Sequence, residues 1–131
     1  MRKILFSLAS LLLIGAGCAR APLPVVQAPD SEETCAVAAK AYYARSGRTS
    51  ESTATYASHY HRESGVCFME ITDTQFGVTQ KTFFDLWTEK EYARSASDPS
   101  SKEIPFSCMT DGADCGSEKD YDAFVKARIE N

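Results

Sequence analysis

The sequence predicts an α+β domain: an N-terminal helix, three to four antiparallel strands arranged as a meander, and a C-terminal helix, with two disulfides. Three observations predict it. Apolar residues recur at helical spacing near both ends of the domain, at Cys35, Ala38, Ala39 and Tyr42 and again at Tyr121, Phe124, Val125 and Ile129. Between them, apolar and polar residues alternate in short runs separated by turn residues. Four cysteines fall within the same stretch, at positions 35, 67, 108 and 115.

The first helix opens at Asp30-Ser31-Glu32-Glu33, which has the spacing of a capping box. Gly47 ends it by offering a left-handed residue. Both helices are expected on one face of the meander. Arg48 to Ala54 is small and polar, a loop. Tyr56 to His61 alternates, with Tyr56, Ser58 and Tyr60 on one face and Ala57, His59 and His61 on the other. Arg62-Glu63-Ser64-Gly65 is a turn. Val66 to Asp73 resumes as a strand that buries Cys67, Met69 and Ile71, with Glu70 pointing away.

Thr74-Gln75-Phe76-Gly77 makes the next connection. Val78 to Thr88 carries large apolar groups on both faces, so it is expected as the central strand. Thr88-Glu89-Lys90-Glu91 has capping-box spacing and suggests a short helix to about Ala96. Ser97 to Glu103 is a surface loop. Ile104 to Thr110 is the last long strand. Asp111-Gly112 signals a tight hairpin, and Ser117-Glu118-Lys119-Asp120 caps the final helix.

Upstream of the domain lies an export signal. Arg2 and Lys3 precede an apolar run from Ile4 to Ile14, followed by small residues. The run is too short to cross a bilayer, which takes about 20 residues. Ile14-Gly15-Ala16-Gly17-Cys18 resembles the lipobox of bacterial lipoproteins, with Gly15 standing where that family usually carries Leu. The resemblance implies cleavage before Cys18 and its lipidation, as with palmitate. Ala19 after the cysteine implies delivery to the periplasmic face of the outer membrane. The competing expectation is ordinary cleavage after Ala21, at Ala19-Arg20-Ala21. The cysteine count favours the lipobox. There are five cysteines, and assigning Cys18 to lipid leaves an even number to pair.

The expected organisation is therefore a signal peptide at 1–17, a lipidated N-terminus and proline-rich tether at 18–29, and a single domain at 30–131. Ala19 to Pro29 contains three prolines and reads as an extended tether of up to about 35 Å. A domain of about 100 residues has a marginal core, which staples would support.

The domain also resembles a small uncharacterised family of exported bacterial proteins. The residues that carry this are Cys35, Ser58-His59-Tyr60, Cys67-Phe68, Cys108, Cys115, Ser117 and Tyr121-Asp122. His61 stands where that pattern has Asn. The resemblance implies no activity, cofactor or partner.

Four cysteines allow three pairings. With Asp111 and Gly112 as central turn residues, Cys108 faces Cys115 at about 5.5 Å between Cα atoms, within disulfide range. Cys35 and Cys67 then pair by elimination, both on core-facing surfaces.

Composition excludes several functions. Arg2 and Lys3 leave with the leader, so 12 basic residues remain against 18 acidic ones, a net charge of −6. Such a domain repels nucleic acid at long range. The chain has no C-x-x-C, no G-x-S-x-G elbow and no Gly-rich phosphate loop. Ser58 adjoins His59, but neighbours on a strand point to opposite faces. His59 and His61 are the only histidines. They share a face, with Glu63 nearby, but two ligands do not make a fixed metal site. No cofactor or metal is expected, and no catalytic residue. An exposed Phe83–Trp87 patch is the candidate partner surface. The sequence thus reads as a non-enzymatic envelope lipoprotein that binds an envelope protein. The alternative is a small inhibitor or immunity-type protein directed at an envelope hydrolase.

Overall fold

The computed structural model describes residues 28–47, 53–103 and 105–130. The element order is α1 (Glu32–Arg45), β1 (Thr55–His61), β2 (Val66–Gln75), β3 (Val78–Asp85), β4 (Glu91–Ser97), β5 (Phe106–Thr110), β6 (Ala113–Asp114) and α2 (Glu118–Glu130). All strands pair antiparallel in chain order, as one six-stranded meander. The fold is α+β, with more strands than the three to four expected.

The helices do not share a face. Alternation along β2 sends Cys67, Met69 and Ile71 one way and Phe68 and Glu70 the other. α1 packs Cys35 and Ala39 against Cys67, Met69, Ile71, Phe84 and Leu86. α2 packs Tyr121 and Val125 against Phe68, Phe83, Ala93 and Cys108. The sheet is a middle layer, covered on each face by one helix. Phe83-Phe84 shows why: two adjacent phenylalanines on the third of six strands are both buried, one under each helix. Burying a side chain of that size stabilises by about 1.5–3 kcal/mol, which a sheet with one bare face would forfeit. Glu70 therefore faces α2, not solvent.

The expected helix from Thr88 to Ala96 is strand β4. The Thr88 hydroxyl, read as a helix cap, donates instead to Asp85 Oδ2 at 2.8 Å and accepts from Lys90 N at 3.3 Å. Ala93 and Ser95 then alternate into the sheet with Arg94 exposed. The register with β3 shifts between Phe83 and Phe84, leaving Tyr92 as the extra residue of a bulge. Tyr92 joins the α2 core, edge-on to Phe68 at 5.8 Å.

The ends of α1 follow the sequence closely. Its cap is Ser31, one residue later than the spacing suggested, and Thr34 completes the capping box. Asp30 Oδ1 accepts from the Thr34 hydroxyl at 3.1 Å. Gly47 follows the helix at φ 75°. The Asp111-Gly112 turn has φ 47° and 81°, with Met109 opposite Asp114 and Thr110 opposite Ala113. This is the type I′ hairpin that Asp-Gly favours.

Both disulfides are those expected. Cys35–Cys67 spans 5.5 Å between Cα atoms and joins the first turns of α1 to the start of β2. Cys108–Cys115 spans 5.3 Å and closes the β5–β6 hairpin just before α2. Among the described residues, no helix is long and apolar enough to cross a membrane. Cys18 and most of the expected tether lie outside the described residues.

Candidate functional site

The expected Phe83–Trp87 surface does not form. Phe83 is wholly buried and stacks on Phe68 with ring centroids 5.1 Å apart. Trp87 lies past the end of β3, in the β3–β4 turn, and is 48% exposed. Phe83 is covered by α2, whereas Trp87 lies beyond the end of β3 and outside that core.

The histidines also part company. His61 turns back on its own hairpin, where its Nδ1 accepts from Ser64 N at 3.2 Å and lies 2.7 Å from Ser64 Oγ. His59 faces α2 and lines a depression of about 310 Å³ with Glu70, Asp122, Lys126 and Glu130. Glu63 is exposed in the β1–β2 turn. Among the described residues, no group of three or more His, Cys, Asp or Glu side chains is placed to hold a metal ion.

The most connected polar cluster lies beside His59, under α2. The buried Tyr121 donates its hydroxyl to Glu70 Oε2 at 3.2 Å. Lys81 Nζ reaches Glu118 at 3.0 Å and Asp122 at 3.4 Å, and lies 5.7 Å from the centre of the Tyr121 ring. Burial, reinforced by the Glu70 carboxylate, holds the Tyr121 phenol well above the ordinary tyrosine range. For Lys81, burial pulls the pKa down, but the hydrogen bond to Glu118 and the charges of Asp122 and Glu118 outweigh it and leave it raised. Both groups keep their protons at neutral pH. The phenol is a fixed donor and the ammonium a fixed cation. This is a clamp between helix and sheet.

A second cluster was missed in the sequence. Asp85 is 7% exposed and organises the β3–β4 turn. Its Oδ1 accepts from Trp87 N at 2.7 Å and Thr88 N at 3.3 Å, and its Oδ2 from the Thr88 hydroxyl. Asp followed by backbone donors two and three residues on is an Asx-type turn. The signal was present in Asp85-Leu86-Trp87-Thr88 but was absorbed into a strand. The turn holds Trp87 outward, and its indole N–H has no hydrogen-bond partner among the described residues.

Two further surfaces are open. On the α1 side, α1 covers β1, β2 and the Phe84 end of β3. A hollow of about 500 Å³ over β3 to β5 is lined by Gln80, Thr82, Arg94, Ala96, Ser107 and Met109, among others. At the β2–β3 hairpin tip, Phe76 is fully exposed and adopts φ 53°. Comparison of the chain with known protein families, with curated proteins and with solved structures gave no match.

Proposed function

We propose that this chain is an envelope lipoprotein, lipidated at Cys18, whose domain is a non-enzymatic binding module at the periplasmic face of the outer membrane. One observation carries this reading. The two bridges consume Cys35, Cys67, Cys108 and Cys115, so the only cysteine left over is the one directly after the apolar leader and its small residues. Disulfides belong to oxidising compartments, and a leftover thiol there calls for a covalent use. The cluster under α2 supports a non-catalytic domain, since the Tyr121 phenol is spent on Glu70 and the Lys81 ammonium on Glu118 and Asp122.

Replacing Cys18 with Ser tests the anchor. The variant should lose normal leader processing and carry no lipid, which intact-mass measurement reads directly. A variant that stays membrane-bound and is processed normally refutes lipidation.

A second reading, an inhibitor or immunity-type protein acting on an envelope hydrolase, is favoured by Phe76. A hairpin locked by the Gln75–Val78 pair presents it as a rigid aromatic plug. Pull-down from envelope extract separates the two readings, because an inhibitor recovers one hydrolase stoichiometrically.

A further inference from the structure

The sheet has two ends, and the lipid anchor would select one of them. α1 begins at the end where β1 finishes and β2 starts: Glu32 Oε2 accepts from Tyr60 N at 3.0 Å, and Cys35 is bonded to Cys67. The β3–β4 turn lies at the same end, since Leu86 N donates to Cys67 O at 2.9 Å. The chain therefore enters the fold beside Trp87. Phe76 sits at the opposite end, across the full length of β2.

Two properties of this turn suit a bilayer surface. Trp87 is the only tryptophan in the chain, is 48% exposed, and its indole N–H has no hydrogen-bond partner among the described residues. An indole with one apolar body and one polar donor is the side chain most favoured at the headgroup level. The turn is rigid, because buried Asp85 holds it through three hydrogen bonds. Lys90 offsets only one of the three carboxylates Asp85, Glu89 and Glu91, so the surface this turn suits is zwitterionic and not anionic lipid. Ten residues, 18–27, lie between the proposed lipid and the first described residue. Fully extended they span at most about 35 Å, which keeps this end within reach of the membrane at high effective concentration.

We propose that Trp87 is an interfacial anchor: the β3–β4 turn seats its indole among the lipid headgroups, so that the tethered end of the sheet faces the bilayer and the Phe76 tip points away from it. The proposal rests on lipid attachment at Cys18.

The lone tryptophan is its own probe. Full-length processed protein, purified from membranes, is reconstituted into phosphatidylcholine vesicles containing lipid brominated at shallow acyl positions. A protein that begins at Ala19, without leader or lipid, is the soluble reference in buffer. The expected result is a blue-shifted emission and quenching by the brominated lipid. Protein that sediments with the vesicles but shows the emission of the soluble reference, without quenching, overturns the interfacial anchor and leaves the lipid anchor standing. Protein that does not sediment with the vesicles overturns both.

Discussion

Replacing Phe76 with Asn should make the domain more stable. Phe76 and Gly77 are the two central residues of the β2–β3 hairpin, at φ 53° and 85°, between the paired Gln75 and Val78. Positive φ at both positions defines a type I′ turn, for which Asn-Gly is the preferred pair. A side chain with a Cβ in the left-handed region costs about 1–2 kcal/mol, and Asn is the residue that tolerates it best after Gly. The Phe76 ring returns nothing to the fold, being 103% exposed relative to an extended reference. Removing it forfeits no burial. The net gain should be about 0.5–1 kcal/mol, or roughly 3–6 °C in Tm for a domain of about 100 residues. Thermal unfolding followed by far-UV circular dichroism measures it. Phe76→Ala is the control: it removes the ring but keeps a Cβ at positive φ, and should leave Tm nearly unchanged. If Phe76→Asn lowers Tm, or if Phe76→Ala raises it equally, backbone strain at the tip is not the cause.

The two disulfides should differ in worth. Sequence separations of 32 and 7 residues give about 3.7 kcal/mol for Cys35–Cys67 and about 2.5 kcal/mol for Cys108–Cys115 in the chain-entropy account. Urea unfolding of the two double-alanine variants checks the order, which equal losses would contradict. Stability should also fall under alkaline conditions. Tyr121 and Lys81 both have raised folded pKa values, so the folded state holds more protons than the unfolded chain. Their contribution is complete below the unfolded values of 10.0 and 10.5 and is lost as pH rises through the folded ones. A urea midpoint that stays flat to about pH 11 would refute this, and Tyr121→Phe should soften the decline. At neutral pH that variant should lose about 1–2 kcal/mol, because Glu70 is left half-buried without its donor.

The parts of this fold that could be read in advance are those set by local chemistry. Asp111-Gly112 determines its turn, the turn determines the register, and the register places Cys108 opposite Cys115. Ser31 and Gly47 mark the ends of α1 within a residue. What escaped prediction depended on distant partners. Thr88-Glu89-Lys90-Glu91 resembles a helix start until Asp85 claims the Thr88 hydroxyl and β3 and β5 supply ladder partners on both sides. The side chosen by each helix was hidden for a similar reason: Phe83-Phe84 shows that both faces of β3 are covered but not which helix covers which. Of the candidate surface, only Trp87 was legible, because the exposure of Phe83 depends on where α2 docks. Phe76 was missed because a turn reading leads one to Gly77 and away from the unusual residue beside it.

The Cys35–Cys67 bridge also has a mechanical meaning. Any pull on the chain from its N-terminal side enters the fold at Ser31, four residues before Cys35. From there the load crosses a covalent bond into β2, which is hydrogen-bonded to a strand on each side. Tension is thus handed to the sheet before it can peel α1 away turn by turn. In the reduced protein the same pull meets the side-chain packing of a 14-residue helix and isolated hydrogen bonds such as Tyr60 N to Glu32, which can give way one after another from its end. The bridge makes the domain a fitting that carries strain at its attachment point, with the rest of the helix left unloaded.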